Sequence, residues 1–227
     1  MLGTIFNAVT IILGGGLGLL FKRGIPERFS DILLKGMSLC VGYIGISGML
    51  KGKSGLVLVL SITIGAIIGE ALNLDGKMKC LGDWVQSRFK NNNSPVSEGF
   101  VTATLLFGVG AMAIVGSLQS GLTGDNSTLF TKSILDGITA IIFTSQMGFG
   151  VIFSAIPIFF YQGTITALAG ILAPVLTKVA IAEMTCVGSL LIFALALNML
   201  GLTKIKVINY IPAIIIAAVL AQFPMFY

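Results

Sequence analysis

Runs of apolar residues, most of them near twenty long, fill this chain and leave little room for anything else. They fall at roughly 3–21, 36–50, 55–74, 99–120, 129–147, 150–172, 184–201 and 207–225, with short polar or Gly/Pro-rich turns between them. In hydrocarbon every backbone N–H and C=O has to be satisfied within the segment or by a closed barrel, and these runs lack the alternation of barrel strands. The expected fold is therefore all-α: a polytopic transmembrane helical bundle of about eight spans. Composition agrees, because only 10% of the residues are charged and mean hydropathy is +1.01, whereas soluble domains carry about a quarter charged residues. No stretch is long and polar enough for a separate soluble domain, so residues 1–227 are expected to form a single integral membrane domain.

The net charge of +5 has the bilayer as its partner and not nucleic acid, because the basic residues sit at span ends. With eight spans, one side holds Lys22, Arg23, Arg28, Lys35, Lys77, Lys79, Arg88, Lys90, Lys204 and Lys206, and the other only Lys51, Lys53, Lys132 and Lys178. That bias places both termini outside and the 75–98 loop in the cytoplasm. The first span has no preceding positive charge and no A-x-A site, so it reads as a retained helix and not a cleaved leader. Within the long loop Trp84 is a candidate interfacial anchor and NNNSP a linker. PERFSDILLKG, from Pro26, reads as a separate amphipathic segment lying along the interface. With no histidine and three scattered cysteines (Cys40, Cys80, Cys186), the chain offers no zinc site, no Ser-His or Cys-His catalysis and no cofactor motif. Neither a metal nor a cofactor is expected, and neither is an enzyme.

An internal repeat is the most informative pattern. GTIFNAVTII at Gly3 aligns with GVIFSAIPIF at Gly150, Pro26 falls opposite Pro174, CVG at Cys40 opposite CVG at Cys186, and AIIGEA at Ala66 opposite AIIIAA at Ala213. The spacing is close to 147 residues throughout, and the second copy begins five crossings after the first. An odd offset reverses direction, so 3–74 and 150–221 read as inverted-topology repeats joined by a 99–147 hairpin. A fainter echo, VGYIGISGML at Val41 against VGAMAIVGSL at Val109, ties that hairpin to spans two and three.

Polar side chains inside the spans point to the site, since they normally face protein or water. Asn7, Thr10, Gly14 and Gly18 share a face of span one, and Ser154, Pro157 and Tyr161 take the matching face of span six. Pro157 and the Gly14–Gly16 run are expected to loosen their helices at a midplane site, although the same glycines also suit close helix packing. Asp136, with Thr139 and Gln146 on its face, is the sharpest candidate, able to bind a cation or carry a proton. The competing reading pairs it with Lys132 near the surface. Ser117 and Gln162 complete the expected lining. Glu70 reads as a solvated helix end, and Asp125, Asn126 and Ser127 as cap and turn residues.

The motifs GVGAMAIVGSLQSGLTGDNSTLFTKSILDG, FSAIPIFFYQG and MLGTIFNAVTIILGGGLGLL resemble those of the YqgA/YdfK-like family of bacterial inner-membrane proteins, a domain of unknown function. The resemblance spans essentially the whole chain. It implies a multi-pass protein of the bacterial plasma membrane and supplies no substrate and no site residues.

Residue by residue, the expectation is a small secondary transporter. It would move a small cationic or polar solute, with H⁺ or Na⁺ as candidate coupling ions, and would form a homodimer on account of its size. Bulky anions are not expected, because no Lys or Arg is placed deep in any span. The alternatives are an ion channel and a non-transporting membrane partner or regulatory protein.

Overall fold

The computed structural model describes residues 1–22, 27–77, 80, 96–108 and 111–226. Pro26, Trp84, the NNNSP linker and most of the 75–98 loop lie outside the described residues. The helices are α1 (Leu2–Lys22), α2 (Glu27–Met49), α3 (Gly55–Ala71), α4 (Val96–Gly108), α5 (Ala111–Thr123), α6 (Ser127–Met147), α7 (Gly150–Phe153), α8 (Ala155–Ala167), α9 (Ala169–Leu172), α10 (Lys178–Met199) and α11 (Pro212–Leu220). No strand occurs among the described residues. The described residues of each apolar run are thus mainly helical. Among the described residues three helices, Leu2–Leu20, Gly150–Ala167 and Lys178–Met199, are long and apolar enough to cross a membrane, and a fourth crossing arises if α4 and α5, bent by 59°, form one span. Ser38–Met49, Gly55–Ala71 and Val207–Leu220 are shorter apolar helices, so helix length does not by itself confirm eight crossings.

Two corrections concern local structure. The ERFSDILLKG stretch is not a separate helix: from Glu27 it runs unbroken into the apolar part of α2, since nothing between Glu27 and Lys35 interrupts helical hydrogen bonding. The Gly14–Gly16 run does not break span one either, as α1 is continuous from Leu2 to Lys22. Span six is interrupted, between Phe153 and Ala155 at Ser154. Pro157 is the third residue of α8, where N–H groups have no acceptor within the helix, so its missing donor leaves that ladder intact.

The chain divides into two compact units. The first comprises Met1–Leu33, Lys79–Gly108 and Met112–Leu172. Its helices are amphipathic in the inverse of the soluble sense. On α1 the exposed face is Leu2, Ile5, Phe6, Val9, Leu13, Leu17 and Leu20, and the buried face is Gly3, Thr4, Asn7, Ile11, Gly14 and Gly18. Likewise α6 exposes Phe130, Ile134, Leu135 and Ile138 and buries Lys132, Ser133, Asp136 and Gly137. Apolar side chains outside and small or polar ones inside is the arrangement lipid demands.

Close backbone approach joins these helices. A Cβ on Gly14 would lie 2.2 Å from the Gly137 carbonyl oxygen, and one on Gly18 would lie 2.4 Å from that of Ile141. Both numbers rise together, so α1 and α6 run parallel. Against α7 and α8 the order reverses: Gly15 abuts Ile152, Asn7 meets Gln162 and Thr4 faces Gly163. There α1 runs antiparallel.

The second unit comprises Leu34–Met78, Val109–Ala111 and Ala173–Tyr227. Gly45 abuts Phe193, Gly48 abuts Ser189 and Gly52 abuts Cys186, so α2 and α10 run antiparallel. Gly65 on Ala213 and Gly69 on Asn209 set α3 antiparallel to α11 and the 3-10 turn Val207–Tyr210 before it. Val57, Val187, Ala213 and Ala217 form a buried apolar cluster in this unit.

Gly14→Ala should destabilise the protein by about 1–3 kcal/mol through forced separation of α1 from α6. Gly16, with nothing within 4 Å of its would-be Cβ, should tolerate Ala or gain up to about 1 kcal/mol from helix propensity. Unfolding of the purified variants in detergent, followed by thermal melt, compares the two directly.

Candidate functional site

The polar residues of α1, α6 and α8 meet inside the first unit. Thr4, Asn7 and Gln162 are all 0% exposed, and Lys132, Asp136 and Thr166 lie at 6–7%. One turn separates Lys132 from Asp136 on α6, and the ammonium and carboxylate form a buried ion pair. Asn7, on the facing side of α1, neighbours Asp136 and donates from Nδ2 to Gln162 Oε1 at 3.2 Å. Thr166 follows Gln162 one turn along α8. Four atoms of the cluster, Thr4 Oγ1, Asn7 Oδ1, Gln162 Nε2 and Thr166 Oγ1, have no hydrogen-bond partner among the described residues.

That combination is costly. Withdrawing an ammonium and a carboxylate from water costs several kcal/mol per ion, which mutual attraction recovers only with good geometry and satisfied neighbours. Here the ion pair is made while four neighbouring polar atoms stay open. Chemically the cluster offers one cation, one anion, an amide donor and three oxygen acceptors, two of them hydroxyls that also donate.

The sequence expectations divide. Asp136, Asn7 and Gln162 are brought together. Thr10 is half-buried and donates to the Asn7 carbonyl, next to the cluster but bound to its own helix. Ser117 and Ser154 are fully buried, yet their hydroxyls donate to Ala113 and Val151 carbonyls of their own helices. Thr139 and Gln146 are half-buried. Thr139 donates to the Leu135 carbonyl and Gln146 to Ser145 Oγ, so neither joins Asp136 as the shared face suggested. Hydroxyls in apolar helices satisfy themselves on the preceding turn, which helical spacing alone does not reveal. Tyr161 is half-buried.

A further correction concerns Lys132. The picture of Lys132 and Asp136 reaching toward water fails, because both are buried within the first unit. The i,i+4 pairing neutralises both groups and lets them be withdrawn together. Thr4 and Thr166 were missed as well, although each sits one turn from a recognised polar residue. Glu183 was missed without any usable signal. In the second unit it is 0% exposed, and its Oε1 accepts the N–H groups of Lys53 and Ser54 at 2.6 and 3.0 Å, where Ser54 caps α3. A carboxylate at a helix N-terminus is favourable, but nothing local to Glu183 announces that partner.

Polar residues elsewhere behave as span ends. Glu70 is exposed and pairs with Lys206. At the turn before α6, Asp125 accepts the Ser127 N–H at 2.9 Å, which holds its carboxyl below the ordinary range. Asn126 occupies the cap position without a side-chain cap bond. Its Oδ1 instead accepts from the Gly3 N–H at 3.0 Å and the Ser120 hydroxyl at 2.8 Å, tying the start of α1 to this turn.

Comparison with known proteins gives a full-length match. The family described as "Protein of unknown function (DUF554)" matches residues 2–222. The chain is 35% identical over 223 residues to "Uncharacterized membrane protein YdfK" of Bacillus subtilis (strain 168), covering 96% of this chain and 95% of that protein. It is 32% identical over 222 residues to "Uncharacterized protein YqgA" of Escherichia coli (strain K12), covering 96% and 94%. No solved structure matches the chain.

Removing one member of the buried pair leaves the other uncompensated. Lys132→Met or Asp136→Leu alone should therefore cost about 3–5 kcal/mol, and the double replacement far less than their sum. A double-mutant cycle of detergent unfolding measures the coupling. Additive losses would place both groups in contact with water.

Proposed function

The chain belongs to the DUF554 family of unknown function, which includes the uncharacterized membrane protein YdfK, and we propose that it is a small secondary transporter moving a small polar or cationic solute. The observation that carries this reading is the buried cluster of Lys132, Asp136, Asn7 and Gln162, with four open hydrogen-bonding atoms around it. Ionisable groups inside spans are expensive and mark solute or ion pathways. Lys132 and Asp136 lie here on α6, and the amides of Asn7 and Gln162 meet between α1 and α8, the helices that the repeat makes equivalent.

The inverted repeat is part of the proposal, and the packing supports it. Where two copies related by a two-fold axis meet, equivalent helices cross antiparallel near equivalent residues. In the first unit α1 crosses α8 between the Asn7–Gln162 and Gly15–Ile152 contacts. Ile11 and its counterpart Ile158 lie in that interval, and both are buried. In the second unit Gly65 abuts Ala213, one residue from its own counterpart Pro212, and Gly45 abuts Phe193, two from Leu191. Proteins built this way place their solute at the repeat interface. The plasma membrane of a bacterium is the proposed setting, and a homodimer, proposed from size alone, the assembly.

Two experiments test the reading. In a cysteine-free background, a cysteine at Asn92 should resist impermeant reagent in intact cells, and labelling there would reverse the topology. A metabolite and ion screen by thermal shift should find a stabilising solute by mass action. Proteoliposomes should then take that solute up saturably, and Asp136→Asn should abolish uptake in a protein that still folds. Rapid, non-saturating flux would favour the channel, and a protein that moves nothing would favour the regulatory partner.

A further inference from the structure

We propose that the cluster on α1, α6 and α8 receives a small zwitterion, a molecule carrying an ammonium and a carboxylate a few bonds apart. Its carboxylate would meet Lys132 Nζ and its ammonium the Asp136 carboxylate. This rests on the transport reading above and narrows its solute class.

The argument is one of charge balance. The resting cluster is electroneutral, because Lys132 and Asp136 satisfy each other and no third charged side chain lies among its buried members. A lone cation on Asp136 would displace Lys132 and leave its ammonium buried without a counter-charge. A lone anion on Lys132 would strand Asp136 in the same way. Either state carries an uncompensated buried charge, the arrangement most heavily penalised in a low-dielectric interior. A neutral polar molecule has only dipoles to offer and cannot compete for either member of the pair. A zwitterion replaces one ion pair by two and keeps the total at zero.

The open atoms fit the same occupant. Asn7 Oδ1 and the hydroxyls of Thr4 and Thr166 can accept from an ammonium, and Gln162 Nε2 can donate to a carboxylate. Asn7 already neighbours Asp136 and bonds Gln162. Asn7 Oδ1 is therefore the open acceptor on the side of the carboxylate that would hold the ammonium, whereas Thr4 and Thr166 lie toward the start of α6. Lys132 and Asp136 are one helical turn apart, about 5.4 Å of rise, and the Lys132 stem is flexible. Amino acids of two to four carbons cover a range of charge separations comparable to that one-turn rise.

Calorimetry on the purified full-length protein in nanodiscs tests this, with glycine, β-alanine and 4-aminobutyrate as zwitterions and ethylammonium and propionate as single-charge probes. The unaltered protein should bind at least one zwitterion ten-fold or more tighter than either single-charge probe. Lys132→Gln should lose that preference and favour ethylammonium, and Asp136→Asn should favour propionate. Should the single variants not fold, exchanging the pair, Lys132→Asp with Asp136→Lys, keeps the charge balance and should retain zwitterion binding. Binding of none of the five probes, tighter binding of a single-charge probe by the unaltered protein, or unchanged preference in folded single variants would overturn the inference. Proteoliposome uptake separates this from the broader reading. A bound zwitterion that is never taken up overturns transport alone, and uptake of ethylammonium or propionate in preference to every zwitterion overturns the zwitterion alone.

Discussion

Lipid tails are as apolar as leucine, so helices in a bilayer gain nothing by hiding leucine from their surroundings and must associate through close contact and polar interaction. That constraint runs through both units. Gly14 and Gly18 let α1 lie against the carbonyls of Gly137 and Ile141, while Gly45, Gly48, Gly65 and Gly69 bring α2 and α3 against α10, α11 and the turn before α11. The large side chains of α1 and α6 go outward. Without the glycine contacts the helices could not come near enough for Asn7 to reach both Asp136 and Gln162.

The same rule explains why the polar cluster has so few members. A hydroxyl in an apolar helix can donate to the carbonyl one turn back, as Ser117, Ser133, Thr139 and Ser154 do, and this removes it from any shared interior chemistry. Carboxamides and charged groups have no such escape. Asn7, Gln162, Lys132 and Asp136 must find one another, and across three helices they do. The hydroxyls of Thr4 and Thr166 stay open, as do those of Ser61, Thr102, Thr104 and Thr144. Glu183 obeys the rule in the second unit by taking two backbone N–H groups at the start of α3.

The sequence by itself determined that this is an all-helical membrane protein, because twenty-residue apolar runs admit no other backbone solution, and it located the helices within a few residues. It also singled out Asp136, Asn7 and Gln162, since polar side chains in such runs have nowhere to go but inward. Tertiary structure alone decided which polar residues met. Helical spacing put Thr139 and Gln146 beside Asp136 on paper, but rotation of α6 toward the Gly14–Gly18 face of α1 turned Lys132, Ser133 and Gly137 inward and left those two at the margin. Tertiary structure also decided that Lys132 is buried. An ion pair one turn apart is equally legible as a snorkelling surface pair or as an interior one, and only the helices packed over it exclude water. Whether the glycines of α1 break or pack was likewise undecidable locally, because a glycine weakens a lone helix by the same amount whether or not a neighbouring carbonyl needs the space.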